Sequence, residues 1–489
     1  MTYFYRFRSV EQLLGEYSEL ENQTIFFASL EDLNDPMEGF RDIVWSGDRI
    51  VWLNLFKDYI NCLFWGHHYV VVAGPKFPYE LPVRQAWTWN CAPSPQASDR
   101  LIAIWERAQD ELQLRQFATS LEELGRKVRK DELVHFLKTI NLSVSMMILE
   151  SFFDNNMLQR PDGYDHAFET QPLTVPSLPE GTDDAPLDAV YEVIHASLSV
   201  YSASNVLLLD HVNDFDENDV LQRNWDRLRF DFPEIYVGEL SHLIQPNWYV
   251  ACFTKTPHSS SMWSHYGDGH RGVCLIFEAE DGNPGDADKS ETPTISLHQI
   301  TGWGWNERDG SRDSWGFAPV PFCEVQYADR PAEVNFFTEM GNITGQDLLD
   351  LWYTDEVGNV SGLAGHVTDE HNREVWRQRH WDAFRRDLAF KTREWAYEQE
   401  HRLVWYDLFK QTRDEEDRTL TYDFRALAGV IFGTRMLAID KRRIMAIIAD
   451  KCQEHNRDSF PFYQAYYSPH RGEICYQTIF NYSADGSHE

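Results

Sequence analysis

Three charged side chains at alternate positions, Glu398, Glu400 and Arg402, form a pattern suited to acid–base chemistry. A helix is predicted to end near Trp395 and a strand to follow, and alternate residues of a strand point to one face. Two carboxylates on one face repel each other, which raises the pKa of one of them, and Arg402 offsets that cost. The alternative is an exposed glutamate–arginine ladder on a half-solvated strand. We take Glu398 and Glu400 as candidate catalytic residues, with Lys391, Trp395 and Arg402 as candidate binding residues.

The stretch from Val250 to Glu278 is the most informative in the chain. A strand-like run leads into a short serine-capped helix, a glycine turn and a second apolar run, as in a hairpin. The polar and aromatic residues at this connection indicate a pocket with sheet below and aromatic groups at its edge. The candidate binding residues are Phe253, Thr254, Lys255, Trp263, His265, Tyr266 and His270. An amphipathic helix packed into the core is the alternative, but it does not explain Lys255 or His270. No HxxxH or HExxH spacing is present, so we expect no metal.

A third candidate is the turn that contains Asn34, Asp35 and Glu38. Asn and Asp before a proline cap turns through their own side chains, and this is the usual explanation. The same three polar groups are also suited to holding a ribose or an adenine edge.

The elements that must position these residues fall into two kinds. Residues 1–45 and 246–489 are predicted to form an α+β core, and residues 46–245 a mainly helical insertion. Within the core, the patterns predict strands over 3–9, 24–28, 250–254, 273–277, 322–327, 401–406, 427–433, 460–467 and 473–476. Residues 303–314 are predicted to be a loop, and residues 370–396 a long charged helix.

Length and composition limit the function classes. A chain of 489 residues is expected to form more than one domain, or one domain with a large insertion. The formal net charge of −34 argues against a broad phosphate-binding surface. Seven scattered cysteines without a CxxC pair predict reduced thiols. The N-terminus lacks a signal-peptide core and no apolar run spans a bilayer, so we expect a cytoplasmic protein without a membrane partner.

Five strings together resemble a widespread bacterial family, a domain of unknown function. They are FYRFRS, FFASLEDLNDPMEG, ACFTKTPHSSSMWSHYGDGHRGVCLIFE, KTREWAYEQEHRLVW and AGVIFGTR. The resemblance covers residues 1–45 and about 246–450 in order, whereas residues 46–245 have no recognised counterpart. The family label implies no activity.

A looser resemblance is to the ADP-ribosyltransferase fold, a split mixed or antiparallel sheet that holds NAD. In that comparison Tyr5 and Arg6, with Arg8 beside them, stand on the first strand. Phe253 and Thr254 precede the short helix with its stacking aromatic, and Glu398-x-Glu400 is similar to an ExE-type motif. Arg8 beside Arg6, the position of the Ser/Thr residue and the large insertion depart from the pattern.

The resemblance implies cleavage of nicotinamide from NAD, through an oxocarbenium-like state that a carboxylate stabilises. Glu400 would take this role, and Glu398 would position the acceptor or tune the pKa of Glu400. Arg6 or Lys255 would anchor the pyrophosphate, and Trp263 or Tyr266 would stack on nicotinamide. Asn34 and Asp35 would close over the adenosine.

Three function classes stay open from the sequence. The first is an NAD-consuming ADP-ribosyltransferase or NAD glycohydrolase-like effector, such as a toxin or an anti-phage defence protein, with NAD as substrate and a protein or nucleic acid as acceptor. The second is a non-enzymatic nucleotide sensor whose helical insertion meets a partner protein. The third is a nucleic-acid-processing enzyme, which the net charge and the lack of a metal cluster argue against.

Overall fold

The structure, a computed structural model, describes residues 2–29, 32–35, 41–73, 94–160, 224–280, 292–306, 310–388, 390–406 and 415–483. It contains two compact units. The sheet unit comprises Met1–Arg41, Pro246–Ala332 and Asp382–Glu489, and the helical unit comprises Asp42–Gln245 and Glu333–Trp381. Residues 333–381, which the sequence places in the α+β core, therefore belong to the helical unit. The predicted mixture of helices and a large sheet is confirmed.

Sixteen strands lie in the described part of the chain. In chain order they are β1 (Thr2–Arg8), β2 (Thr24–Phe26), β3 (Asp42–Trp45), β4 (Val128–Arg129), β5 (Trp248–Thr254), β6 (Val273–Ala279), β7 (Thr294–Asn306), β8 (Gly310–Glu324), β9 (Gln326–Ala328), β10 (Glu333–Asn335), β11 (Phe390–Thr392), β12 (Glu400–Tyr406), β13 (Thr419–Tyr422), β14 (Leu427–Phe432), β15 (Ser459–Ser468) and β16 (Glu473–Ser483).

The described α-helices range from four to 25 residues in length. In chain order they are α1 (Val10–Leu14), α2 (Glu19–Asn22), α3 (Arg49–Ala73), α4 (Pro95–Glu111), α5 (Leu114–Glu123), α6 (Lys130–Asp154), α7 (Phe232–Glu239), α8 (Ser241–Ile244), α9 (Ser260–His265), α10 (Phe336–Glu339), α11 (Gly345–Leu348), α12 (Gly365–Thr368), α13 (Glu370–Leu388) and α14 (Ala438–Glu454). Short 3-10 turns add Gly362–Ala364, Arg393–Glu398, Glu415–Arg418 and Phe424–Ala426, and π-helical turns add Arg227–Asp231 and Leu349–Tyr353.

An eleven-stranded mixed sheet dominates the sheet unit, in the order β16-β15-β14-β6-β1-β5-β12-β8-β7-β13-β2. The pair β14–β15 is parallel and the other neighbours are antiparallel. Ala28, which follows the edge strand β2, forms an antiparallel bridge with Val250 of β5, in the middle of the sheet. This half of the sheet therefore curls back on itself.

The neighbouring strands β1 and β5 are paired over a very short length. They pair only at Tyr5 and Thr254, whereas β1 pairs with β6 from Thr2 to Arg8 and β5 pairs with β12 over its whole length. A gap in the ladder between two strands of one sheet leaves room for side chains and for a ligand. Residues of both strands line a cavity at this gap.

Three sequence-based expectations about local structure are corrected. The runs before and after α9 are not a hairpin, because β1 lies between β5 and β6. The described residues 303–306 and 310–314 of the predicted loop belong to β7 and β8, which pair from Thr294–Pro321 to Asn306–Gly310. The helix predicted to reach residue 396 ends at Leu388 and is followed by β11 and a 3-10 turn.

The core of the sheet unit combines the inner faces of these strands with α14. Phe4, Phe253, Phe277 and Phe322 are buried, and the rings of Phe4 and Phe322 stack with centroids 3.8 Å apart. A smaller cluster surrounds the fully buried Trp263 of α9. Burial of each such aromatic side chain contributes about 1.5–3 kcal/mol, so the larger cluster stabilises the positions of β1 and β5, and the smaller one that of β1.

The helical unit packs α3 to α8 with the three-stranded sheet β10-β3-β4. Of the described helices, α6 is long and apolar enough to cross a membrane, which the sequence-based expectation of no such run overlooked. Its most apolar window has a mean hydropathy of 1.3, and 61% of that window is buried inside the protein. Length and hydropathy of this kind are also those of a buried core helix.

Gly272 determines how closely the turn before β6 approaches the end of β1. A Cβ atom at this position would lie 2.2 Å from the Arg8 carbonyl oxygen. We expect Gly272→Ala to destabilise the protein by about 3 kcal/mol, because backbone must move to relieve the overlap. Gly316→Ala is the control, since its Cβ would meet only Thr301 at 3.6 Å. Equal unfolding temperatures of the two variants in a thermal scan would contradict this account.

Candidate active site

A cavity of about 440 Å³ opens in the sheet unit where β1 and β5 diverge. Its volume is in the range of small-molecule sites. The cavity is lined by residues of β1 and β5 and of the chain around α1 and α2. Three candidate residues from the sequence pattern, Lys391, Glu398 and Glu400, also line it.

Lys391 bridges the two candidate catalytic glutamates. Its Nζ lies 2.6 Å from Glu398 Oε2 and 3.0 Å from Glu400 Oε2. All three residues are at most 3% exposed. A buried charge is costly unless it is paired and hydrogen bonded, and the lysine meets this need for both carboxylates.

The remaining oxygen of each carboxylate also has a donor. Arg402 Nε donates to Glu400 Oε1 at 2.7 Å, and Arg402 is fully buried. Tyr266 donates its hydroxyl to Glu398 Oε1 at 2.7 Å. Asn34 Nδ2 in turn donates to the same hydroxyl oxygen at 2.7 Å, which connects the predicted turn around residue 34 to the network.

The two carboxylates have opposite pKa shifts. Burial raises the pKa of Glu398, against the opposing effect of Lys391. Burial acts in the same direction on Glu400, but Arg402 and Lys391 outweigh it and lower its pKa from 4.5 to about 2. Burial and the hydrogen bond to Glu398 raise the pKa of Tyr266. The charged form is therefore favoured more strongly in Glu400 than in Glu398, and Glu398 is the group better suited to exchanging a proton.

The backbone around Gln399 brings the pair together. Glu398 ends the 3-10 turn Arg393–Glu398, Gln399 has a left-handed conformation with φ 46°, and Glu400 begins β12. Thr254 Oγ1 donates to the Glu398 carbonyl at 2.6 Å, and the Lys255 amide donates to that of Gln399 at 3.1 Å. The glutamates thus do not alternate along one strand, as the sequence pattern indicates, yet their side chains converge on Lys391.

The short parallel pairing of β11 with β9 positions Lys391 beside Glu398 and Glu400. Lys391 lies opposite Tyr327 in this pairing, and the Tyr327 hydroxyl accepts from the Glu400 amide at 2.8 Å. Its ammonium also lies 4.7 Å from the Trp395 ring centroid. Trp395 therefore supports the lysine, although it is not among the residues that line the cavity.

Arg6 presents an incompletely bonded guanidinium at the cavity. It is 4% exposed, and its Nη2 donates to the Phe26 carbonyl at 3.2 Å. Within the described part of the chain, its Nε and Nη1 have no hydrogen-bond partner. Its guanidinium carbon lies 5.3 Å from the Phe253 ring centroid. Buried donors without acceptors cost about 1–3 kcal/mol each, and an anionic ligand would satisfy both.

The neighbouring Arg8 differs from Arg6, since its Nε lies 2.8 Å from Glu19 Oε2. Glu19, Cys252 and Tyr327 belong to the site or its support but were not predicted from the sequence. The thiol of Cys252 hydrogen bonds to Glu400. Of these three, only Cys252 has a signal in the sequence: it alternates with Thr254 on β5, so the two side chains point to the same face.

Several predicted site residues lie elsewhere. Trp263 is fully buried, and its indole donates to the Pro257 carbonyl at 2.8 Å, so it is a core residue. Lys255 is exposed, with its ammonium 3.9 Å from the Phe4 ring centroid. Asp35, His265 and His270 are also absent from the residues that line the cavity, whereas Tyr5, Phe253 and Thr254 are present. Glu38 lies outside the described residues.

The chain from α9 to β12 contains Tyr266, Lys391, Glu398 and Glu400. Most of this stretch matches the model of a recognised sequence family. Residues 262–403 match the family described as Protein of unknown function (DUF2971). The predicted resemblance to a domain-of-unknown-function family is thereby confirmed. The DUF2971 segment is shorter than the predicted resemblance, which also included residues 1–45 and continued to about 450.

No curated protein and no solved structure gives a significant match to the chain. The DUF2971 description names no activity, and the similarity to ADP-ribosyltransferases stays a prediction.

Proposed function

We propose that the cavity binds NAD and that the chain is an NAD-consuming enzyme, an ADP-ribosyltransferase or NAD glycohydrolase-like protein. The observation that carries the proposal is the Glu398–Lys391–Glu400 network on the wall of a cavity that also contains the Arg6 guanidinium. An anchoring cation and a carboxylate are the two groups needed to hold a dinucleotide and stabilise a positively charged sugar. The single residue pair that joins β1 to β5 agrees with a split-sheet fold.

In this mechanism each residue has a separate role. Arg6 holds the pyrophosphate, and Glu400, which is ionised at neutral pH, stabilises the oxocarbenium-like state as the bond to nicotinamide breaks. Glu398, whose pKa is raised, takes the proton of the attacking acceptor or water. Tyr266 lines the cavity and is the residue that would contact the nicotinamide ring, whereas Trp263 is buried away from it.

The direct test is incubation of the full chain with NAD, followed by mass spectrometry of the small molecules. Nicotinamide together with ADP-ribose or an ADP-ribosylated acceptor is the expected result. Saturable binding of NAD without release of nicotinamide would reject the enzyme. Absence of both binding and turnover would reject NAD as the ligand.

A non-enzymatic nucleotide sensor is the second candidate. It is favoured by the observation that every oxygen of Glu398 and Glu400 already has a donor within 3.0 Å. A network that is already satisfied can serve to hold β11 and β12 together around a binding site. This candidate predicts the outcome of binding without turnover.

We expect Arg6→Gln to weaken NAD binding about 10–100-fold, because a charge-assisted hydrogen bond contributes about 1.5–3 kcal/mol. If NAD is turned over, the loss should fall on KM, since Arg6 is assigned to the pyrophosphate and not to the reacting bond. Arg443→Gln, which changes a 54%-exposed arginine of α14, is the control and should leave binding unchanged. Calorimetric titration measures both variants, and equal affinities would remove Arg6 from the site.

A further inference from the structure

We propose that His258, Glu473 and Cys475 form a binding site for a zinc-like divalent metal ion. This site is independent of the proposed NAD cavity, and none of its three residues is among those that line the cavity. One potential ligand atom from each residue lies within 4.8 Å of the other two. Such spacing allows one ion to contact all three with little rearrangement.

The strand geometry explains why two of the ligands are close together. Glu473 and Cys475 are two residues apart at the start of β16, so their side chains point to the same face. The Cys475 thiol lies 3.9 Å from Glu473 Oε1, which is a weak contact for a thiol donor. Cys475 is 5% exposed, whereas Glu473 is partly exposed, so an ion can enter from the Glu473 side.

The third ligand comes from the loop between β5 and α9 and is already held in place. His258 Nδ1 lies 2.8 Å from the Ile474 carbonyl, and the Ile474 amide donates to the His258 carbonyl at 3.2 Å. A carbonyl oxygen only accepts, so Nδ1 carries the proton and Nε2 keeps its lone pair. Metal-ligating histidines are commonly oriented by such a bond to a backbone carbonyl. The imidazole also stacks on Tyr476, with centroids 5.7 Å apart.

The chemistry of the three ligands identifies the class of ion. A thiolate, an imidazole and a carboxylate suit zinc and similar late first-row divalent ions better than magnesium or calcium, which prefer oxygen ligands. On binding, the Cys475 thiol loses its proton, and the thiolate and carboxylate balance the two positive charges of the ion. Three protein ligands leave a fourth position for water or another ligand. The ion would tie the loop before α9 to the β15–β16 hairpin.

The experiment uses the full chain, stripped with a chelator and titrated with Co²⁺ as a spectroscopic probe for zinc. We expect one Co²⁺ per chain with a thiolate charge-transfer band, and its displacement by Zn²⁺. Cys475→Ser should abolish the band, and Glu473→Gln should weaken the affinity by more than about tenfold. Cys62→Ser, in the helical unit, is the control and should keep the wild-type spectrum.

Two results would overturn the site. One is a wild-type titration without a thiolate band, and the other is a band that survives in Cys475→Ser. Glu473 is partly exposed at the hairpin, so Glu473→Gln should remain folded even if Cys475→Ser unfolds. Unchanged Co²⁺ affinity in Glu473→Gln would then also reject the assignment. None of these results depends on NAD turnover.

Discussion

Glu400→Gln is expected to lower nicotinamide release from NAD about a thousandfold, the typical effect of removing a preorganised group that stabilises charge in a transition state. An amide has nearly the same shape as the carboxylate but carries no negative charge to oppose the developing cation. Because Arg402 and Lys391 hold the pKa of Glu400 near 2, the wild-type group is ionised throughout the pH range of an assay. Discontinuous mass spectrometry of NAD and nicotinamide, with kcat and KM determined separately, is the measurement.

The control for this result is Glu394→Gln. Glu394 is an exposed glutamate in the same 3-10 turn that ends at Glu398, and it should keep wild-type activity. Glu400→Gln also leaves the fully buried Arg402 without its carboxylate, so circular dichroism and an unfolding scan must accompany the assay. A folded Glu400→Gln protein that consumes NAD at the wild-type rate would remove Glu400 from the mechanism.

Features of the site that depend on a few adjacent residues could be predicted from the sequence. The Ser259 hydroxyl caps α9 by accepting from the Met262 amide, as the serine-rich start of that segment indicates. The apolar runs on either side of α9 predict the strands β5 and β6. Capping and alternation act within a few positions of the chain, so one sequence contains enough information for them.

Long-range pairing could not be predicted in this way. The placement of β1 between β5 and β6 joins residues near position 5 to residues near positions 254 and 276. The pairing of Lys391 with Tyr327 likewise depends on strands far apart in sequence. Residues 303–314 have the glycine and polar content of a loop, but in 303–306 and 310–314 cross-strand pairing of β7 with β8 overrides that local preference.

The two candidate catalytic glutamates, Glu398 and Glu400, illustrate both cases. Their alternate positions predict that Glu398 and Glu400 lie on one face of a single strand. This prediction of a shared strand is wrong, because only Glu400 belongs to β12 and Gln399 turns the chain between the two glutamates. They meet because Lys391 binds both carboxylates from β11. The lysine stands in the same sequence motif, but nothing in its spacing from the glutamates indicates that contact.

Lys391→Met is expected to destabilise the protein by about 3–5 kcal/mol at neutral pH, because two buried carboxylates lose their shared counter-ion. Methionine keeps much of the aliphatic volume, so the loss reports on charge more than on packing. Lys441→Met is the matched control. The Lys441 ammonium donates to the neutral Gln464 side chain at 2.5 Å, so its loss should cost at most about 1.5–3 kcal/mol and leaves no carboxylate without a counter-ion.

The pH dependence separates the electrostatic account from a packing account. In the wild type the pKa of Glu400 is lowered, so its stabilising contribution is present above 4.5 and is lost as the pH falls towards 2. The pKa of Glu398 is raised, so its contribution is present below 4.5 and is lost as the pH rises through its folded pKa. Without Lys391 the pKa of both carboxyl groups moves up, so protonation at lower pH relieves part of the cost of burying them.

The destabilisation in Lys391→Met should therefore shrink as the pH falls from 7 towards 5, whereas that in Lys441→Met should stay constant. Urea and thermal unfolding over this pH range measure the difference. The double variant Lys391→Met with Glu398→Gln should recover part of the loss at pH 7, because it removes the carboxylate that has no other cationic partner, whereas Glu400 keeps Arg402. A loss that is the same at pH 5 and pH 7, with no recovery in the double variant, would mean that Lys391 acts by packing and that the glutamates are not a charged pair.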